Sequence, residues 1–313
     1  MSDLALYFRE VSLQVGVMFL LIAVGFLLTR KGILNDAGAR TVTDLILYAV
    51  TPAVILKAFV TVRFSPENAT SMLIALGSAL AVHLLGLGIG ALVFRRRPLP
   101  QRNLYICGVI FSNGGYMSLP LAQVLLGDMG TFLVSMYVAV FNVVIWTLGV
   151  KLLSHEPVPV KKLLLNPNLL AVALGIVLFF ARVDLTGVTL IYAPMTHLAN
   201  LNAPVAMIII GYYLCRASWK PSPEDASLFA AIALRILAVP LIAMGGLRLL
   251  GVTGDLLTAC AIPACAPVAA MVMMFVSKFG GNTDAASKMV ALAHLLSIVT
   301  IPLMLTLCKA IGG

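Results

Sequence analysis

Residues 111–121 read FSNGGYMSLPL and interrupt an apolar run, 103 to 126, where an unbroken membrane helix would otherwise be expected. Asn113, Gly114, Gly115, Ser118 and Pro120 are together poor residues for a helix interior. A bilayer tolerates such a break only where the freed backbone faces protein or a watery cavity. Broken membrane helices are a mark of transport sites.

The rest of the chain has the composition that this reading needs. Hydrophobic residues make up 61% and charged residues 11%, whereas a soluble domain carries about 25% charged residues. An all-α, polytopic membrane protein in the lipid bilayer is expected. The first residues include Asp3, Arg9 and Glu10 rather than a basic run, and no small-residue cleavage site follows, so no removable signal peptide is expected. The five cysteines lie in apolar stretches without CxxC spacing, which predicts no disulfide, no metal site and no cofactor. A net charge of +9 would suggest nucleic acid in a soluble chain. Here the basic residues collect in short connections, a pattern of membrane orientation, and no nucleic-acid partner is expected.

A spanning helix needs about 20 mostly apolar residues. Ten such spans are predicted, at 11–29, 42–60, 69–94, 103–126, 131–153, 167–181, 192–215, 227–250, 254–278 and 285–308. Lys and Arg concentrate in alternate connections, as in Arg95, Arg96, Arg97 and Arg102 between the third and fourth spans. The positive-inside rule then puts both termini on the non-cytoplasmic side. Two sets of five spans, each odd, must start on opposite faces, which is the topology of an inverted repeat. The expected division is 1–153, a connection at 154–166 containing Pro157 and Pro159, and 167–313. Prolines recur in matching spans: Pro52 with Pro204, and Pro120 with Pro263 and Pro267. Interruptions in corresponding spans point to a site between the repeats.

If the fourth and ninth spans are each split, their second halves begin near the midplane with free N–H groups and about half a positive charge each. Two such ends form an anion site made of backbone. Ser118 is placed to cap the second half of the fourth span, broken around Gly114 to Pro120, and Pro120 suits its first turn. Asn113 can donate to a carboxylate or accept with its carbonyl. Tyr116 lines the cavity or packs in the core. Gly114 and Gly115 suit close packing, but with a proline five residues on they favour an opened turn.

The carboxylates all lie near helix ends or in loops, which argues against an acid-based proton relay and weakens sodium coupling. Arg235 lies deep in the eighth span; it could supply charge to an anion path, or reach a neighbour or the interface. His83 and His294 sit near mid-span and are candidates to carry a coupled proton, against the plainer role of neutral packing residues. Lys57 reads as a snorkelling side chain, and Asn142 and Asn202 as further cavity candidates. Nucleotide-driven transport lacks its GxxxxGK[ST] motif, and no nucleophile–base pair, paired aspartates or HExxH motif supports an intramembrane enzyme. A channel or a transporter-like sensor stays open.

The stretch FSNGGYMSLPLAQVLLG at 111–127 resembles the fourth-helix signature of the auxin efflux carrier family. Landmarks at 25–34, 48–59, 164–178, 203–214 and 263–280 agree, in order, and without a large central hydrophilic loop the chain looks like a bacterial member. The resemblance implies a fold shared with bile acid sodium symporters, with helices 1, 2, 6 and 7 as a scaffold and the rest as a transport domain with crossing helices 4 and 9. It implies transport of small organic anions such as malonate or auxin by an elevator-like shift in the cytoplasmic membrane, and a homodimer through the scaffold. Asn113, Pro120 and Pro267 are then at the site. Relatives often place Asn four positions after the helix 9 proline; here that position is Met271, so specificity is expected to differ.

Overall fold

The computed structural model describes residues 3–154, 160–217, 219 and 225–312. Pro157 and Pro159 of the expected connection, and Lys220, lie outside the described residues. The chain folds into α1 (Asp3–Arg30), α2 (Asp36–Thr61), α3 (Pro66–Val93), α4 (Leu99–Ile110) and a helical stretch Gly114–Leu153. At 40 residues that stretch would run about 60 Å if straight, twice the apolar thickness of a bilayer. Gly127 breaks it with φ 63 and ψ −151, the positive φ that glycine accepts without strain. The two sides are α5 (114–126) and α6 (128–153). There follow α7 (Pro167–Phe180), α8 (Thr189–Cys215), α9 (Asp225–Leu249), α10 (Gly254–Cys265), α11 (Ala270–Lys278) and α12 (Thr283–Gly312).

Seven of the described helical stretches are long and apolar enough to cross a membrane, and α7 and α10 are shorter apolar helices. The protein is therefore a multi-pass, all-helical membrane protein. Helix α1 shows why. Val11, Val15, Met18, Ile22 and Gly25 form one buried stripe, while Leu13, Val17, Leu20, Val24 and Leu27 are exposed. A helix apolar all round with only one stripe packed suits lipid and not water.

Caps start the helices where the sequence supplies them. Ser65 accepts from Asn68 N–H ahead of Pro66, and Asn166 accepts from the N–H groups of Asn168 and Leu169 ahead of Pro167. Prolines inside spans have another solution. Five-residue wide turns of π type occupy Ile46–Val50, Gly114–Ser118 and Leu234–Ala238, and Pro52, Pro120 and Pro240 each follow two residues later. A proline ring clashes with the carbonyl four residues back, which in all three cases belongs to the wide turn. The extra residue in the turn makes room for it.

Helix α1 packs along the second half of α8 with backbones touching: a Cβ on Gly25 would lie 2.1 Å from the Ile208 carbonyl oxygen, and one on Gly211 2.1 Å from that of Ile22. Such small-residue contacts are how membrane helices reach van der Waals distance. The second half of α2 packs on α7 and the first half of α8, α3 lies against α4, α6 and α10, and α12 runs between α10 and α1. Asp36 at the start of α2 takes hydrogen bonds from Tyr212 and Arg216 at the end of α8, and the Arg216 guanidinium holds that carboxyl below its usual range.

Gly211→Val is expected to push α1 and α8 apart and lower thermal stability in detergent by about 1–3 kcal/mol. Gly16→Ala, where a Cβ meets nothing within 4 Å, should leave the melting curve unchanged. Equal melting of the two variants would mean that the α1–α8 contact does not matter.

Candidate functional site

Helix α4 ends at Ile110 and α10 at Cys265, both in the interior. Each chain then runs extended for a few residues before α5 and α11 begin, with Phe111 at φ −95, ψ 106 and Ala269 at φ −64, ψ 133. The two extended pieces cross and pair. Ser112 stands opposite Val268 in an antiparallel bridge; Asn113 N–H donates to Pro267 O at 2.8 Å and Ala269 N–H to Phe111 O at 2.9 Å. Each break supplies the partner that the other lacks, as backbone in an apolar region requires.

The ends of the first half-helices are closed by one side chain. Arg235, fully buried on the wide turn of α9, donates to Val109 O at 3.1 Å, to Ile110 O at 3.3 Å and to Ala264 O. A guanidinium carries five N–H donors, and helix C-termini carry free carbonyls and partial negative charge, so one cation serves both helices. Beside it Ser112 Oγ donates to the Tyr137 hydroxyl at 2.7 Å.

On the other side of the crossing the second half-helices begin, and a cavity of about 60 Å³ opens among α2, α5, α6, α7 and α11. This is room for a few waters, since one needs roughly 10–15 Å³. Of the residues singled out in the sequence, Asn113, Gly114, Gly115, Tyr116, Asn142 and Met271 line it. Ser118, Pro120, Pro263, Pro267, Arg235, His83 and His294 do not.

Several expectations change in detail. The break lies at 111–113, not at Gly114 to Pro120, and the glycines already belong to the wide turn that starts α5. Ser118 makes no capping hydrogen bond, because the helix starts four residues before it. Pro120 falls just after that wide turn and lines a separate cavity with Lys57, Gln123 and Asn202. Gly114 sits under the Tyr137 ring, which a Cβ would approach to 2.8 Å, whereas a Cβ on Gly115 would meet nothing. Packing therefore fixes the first glycine and not the second. Lys57 pairs with Asp128 at 2.6 Å instead of extending to the interface.

The polar groups on the cavity wall differ in how far they are already used. Asn142 donates to Val138 O at 2.8 Å and its Oδ1 accepts from Asn166 at 3.1 Å. Asn113 Nδ2 lies 3.0 Å from His294 Nε2, and its side-chain Oδ1 has no hydrogen-bond partner among the described residues. Asn168 is buried and its Oδ1 has no hydrogen-bond partner among the described residues. His294 Nδ1 lies 2.8 Å from Val290 O and His83 Nδ1 2.7 Å from Ala79 O. The His83 Nε2 has no hydrogen-bond partner among the described residues, and its ring centroid lies 4.8 Å from that of Tyr137. Of the two, His294 is within hydrogen-bond distance of a cavity residue, whereas His83 meets the cavity wall through ring contact with Phe141, centroids 6.4 Å apart.

Sequence reasoning missed Thr43, Thr51, Asn168 and Met274 on this wall. The spacing of Thr43, Leu47 and Thr51, four residues apart on one helical face, was a usable signal. Asn168 lies in the landmark at 164–178, which the sequence reading did not connect with the cavity.

Comparison with known families bears directly on this geometry. The family described as membrane transport protein matches residues 11–159 and 154–305. The chain belongs to that family. It is the family of the auxin efflux carriers whose fourth-helix motif the sequence resembles, and the matched residues include both sides of the crossing. A comparison with curated proteins gives no match.

In this family member Arg235→Met is expected to remove the charge that closes two helix ends and leave carbonyls unsatisfied. Loss of about 3–5 kcal/mol follows, visible as a much lower melting temperature or no folded protein after size-exclusion chromatography. Arg235→Lys, a single point charge without the planar fork, should fall between. Wild-type melting of both variants would show that the guanidinium does not hold the crossing together.

Proposed function

We propose that the protein is a secondary transporter of a small organic anion, with the cavity at the crossing as the substrate site. The observation that carries the reading is the pairing of two interrupted helices beside a cavity lined by Asn113, Asn142 and Asn168. The first turns of α5 and α11 begin at this cavity, and helix N-termini favour negative charge through their free N–H groups and dipoles. A carboxylate would accept from these groups and from the Asn113 amide. Its apolar part would lie against Tyr116, Met271 and Met274.

Counting α4 with α5 and α10 with α11 as single interrupted spans gives ten, arranged as two inverted sets of five. In this reading α1, α2, α7 and α8 are a scaffold, supported by the close α1–α8 and α2–α7 packing. The remaining helices carry the site, and the cavity lies where the two groups meet. Alternating access then comes from an elevator-like movement of the second group against the first. The setting is a bacterial cytoplasmic membrane with both termini on the non-cytoplasmic side and a homodimer formed through the scaffold.

Purified protein in liposomes should take up malonate or an auxin-like acid. Asn113→Ala, which removes a hydrogen bond to a charged ligand worth about 1.5–3 kcal/mol, should weaken affinity roughly 10- to 100-fold in a protein that still folds. Unaltered uptake and affinity in that variant would remove Asn113 from the site.

A further inference from the structure

We infer that His294 sets which end of the Asn113 amide faces the cavity, so that one proton on His294 Nε2 is taken up with each bound carboxylate. The inference rests on the reading of the crossing as an anion site. It starts from two distances on one imidazole. Nδ1 lies 2.8 Å from the Val290 carbonyl oxygen, an acceptor only, so that nitrogen carries a proton. In the neutral ring Nε2 then has a lone pair, and its neighbour at 3.0 Å must donate: this is Asn113 Nδ2. The neutral histidine therefore holds the amide nitrogen towards itself and leaves the side-chain Oδ1, without a hydrogen-bond partner among the described residues, for the cavity side.

An oxygen is the wrong group to offer a carboxylate. A proton on Nε2 reverses the arrangement. Nε2–H now needs an acceptor, the amide turns its oxygen to the ring, and the –NH2 group with two donors turns to the cavity. A positive charge also stands one amide away. His294 is fully buried and does not line the cavity, so its Nε2 depends on Asn113 for a partner. The same reasoning shows why His83 has no such part: its Nδ1 is bound in the same way to Ala79, but its Nε2 has no hydrogen-bond partner among the described residues.

The groups around His294 do not duplicate this function. On the helices packed against α12, the ionisable side chains within the spans are Arg235 on α9, Tyr105 and Cys107 on α4, and Cys260 and Cys265 on α10. Arg235 is engaged with three carbonyls. On α12 itself Lys288 pairs with Asp225 of α9 at 2.7 Å. The helices α1 and α8 add Tyr7, Tyr192, His197, Tyr212, Tyr213 and Cys215, while the Lys, Arg, Asp and Glu residues of α1 and α11 lie towards their ends. His294 does not line the cavity, so it is a positioning residue that acts through Asn113.

The test uses the full chain in detergent, with malonate and indole-3-acetate as probes, between about pH 6.5 and 8.5, above the ordinary carboxyl range. Wild-type affinity should fall about tenfold per pH unit, and a pH-indicator dye should register one proton taken up per anion bound, as linkage requires. His294→Gln, whose amide can face Asn113 by its N or O end but does not titrate, should bind both acids without that slope. His83→Gln should keep the slope. Binding by the wild type with no pH slope and no proton uptake overturns this inference and leaves the anion site standing; a slope that survives in His294→Gln does the same. No binding of carboxylates at any pH overturns both. Should His294→Gln fail to fold, the wild-type proton count decides alone.

Discussion

Two stretches of backbone, each unable to form a helix, meet inside an apolar protein and satisfy one another. The hydrogen bonds between Phe111–Asn113 and Pro267–Ala269 are few, but the alternative in a bilayer is unpaired N–H and C=O groups that cost several kcal/mol each. Arg235 completes the arrangement from one side. Burying a guanidinium is unfavourable by itself, and the negative ends of α4 and α10 offset that cost. The result is a polarised crossing. Its carbonyl-rich face is closed by a cation, and its N–H-rich face, where α5 and α11 start, is open to the cavity.

Much of the fold was legible because lipid imposes a coarse rule. Apolar runs of the right length locate the helices, and seven of the described helical stretches are long and apolar enough to cross a membrane. The break in the fourth span was visible from its glycines and proline but was placed a few residues late. Phe111 and Ser112 carry no strong helix-breaking tendency, and their extended backbone is fixed by Pro267 and Ala269, which local propensity does not report. The carbonyl partners of Arg235 and the contact of Asn113 with His294 are tertiary for the same reason, with separations of 126 and 181 residues. Asn113, Asn142 and Met271 were readable as cavity residues from the motif and its surroundings. Thr43, Thr51 and Asn168 arrive from α2 and α7, and their approach depends on packing that the pattern within one helix does not specify.

The prolines show a second regularity. In three helices a wide turn absorbs the steric demand of the proline that follows, so Pro52, Pro120 and Pro240 bend their helices without breaking them. Pro263 lies inside α10 with no such turn, and that helix ends two residues later at Cys265. Pro194 and Pro302 show a third outcome, since their helices run on past them without a wide turn.

The order of synthesis gives the crossing a consequence for biogenesis. When the fourth span enters the membrane, neither Arg235 nor the Pro267 carbonyl has yet been made, since the arginine lies 126 residues downstream of Val109. The first half must therefore hold an unsatisfied kink in lipid, or keep it near the insertion machinery, until the second half arrives. Truncated chains ending before α9 would expose that backbone to any neighbouring strand or quality-control protease.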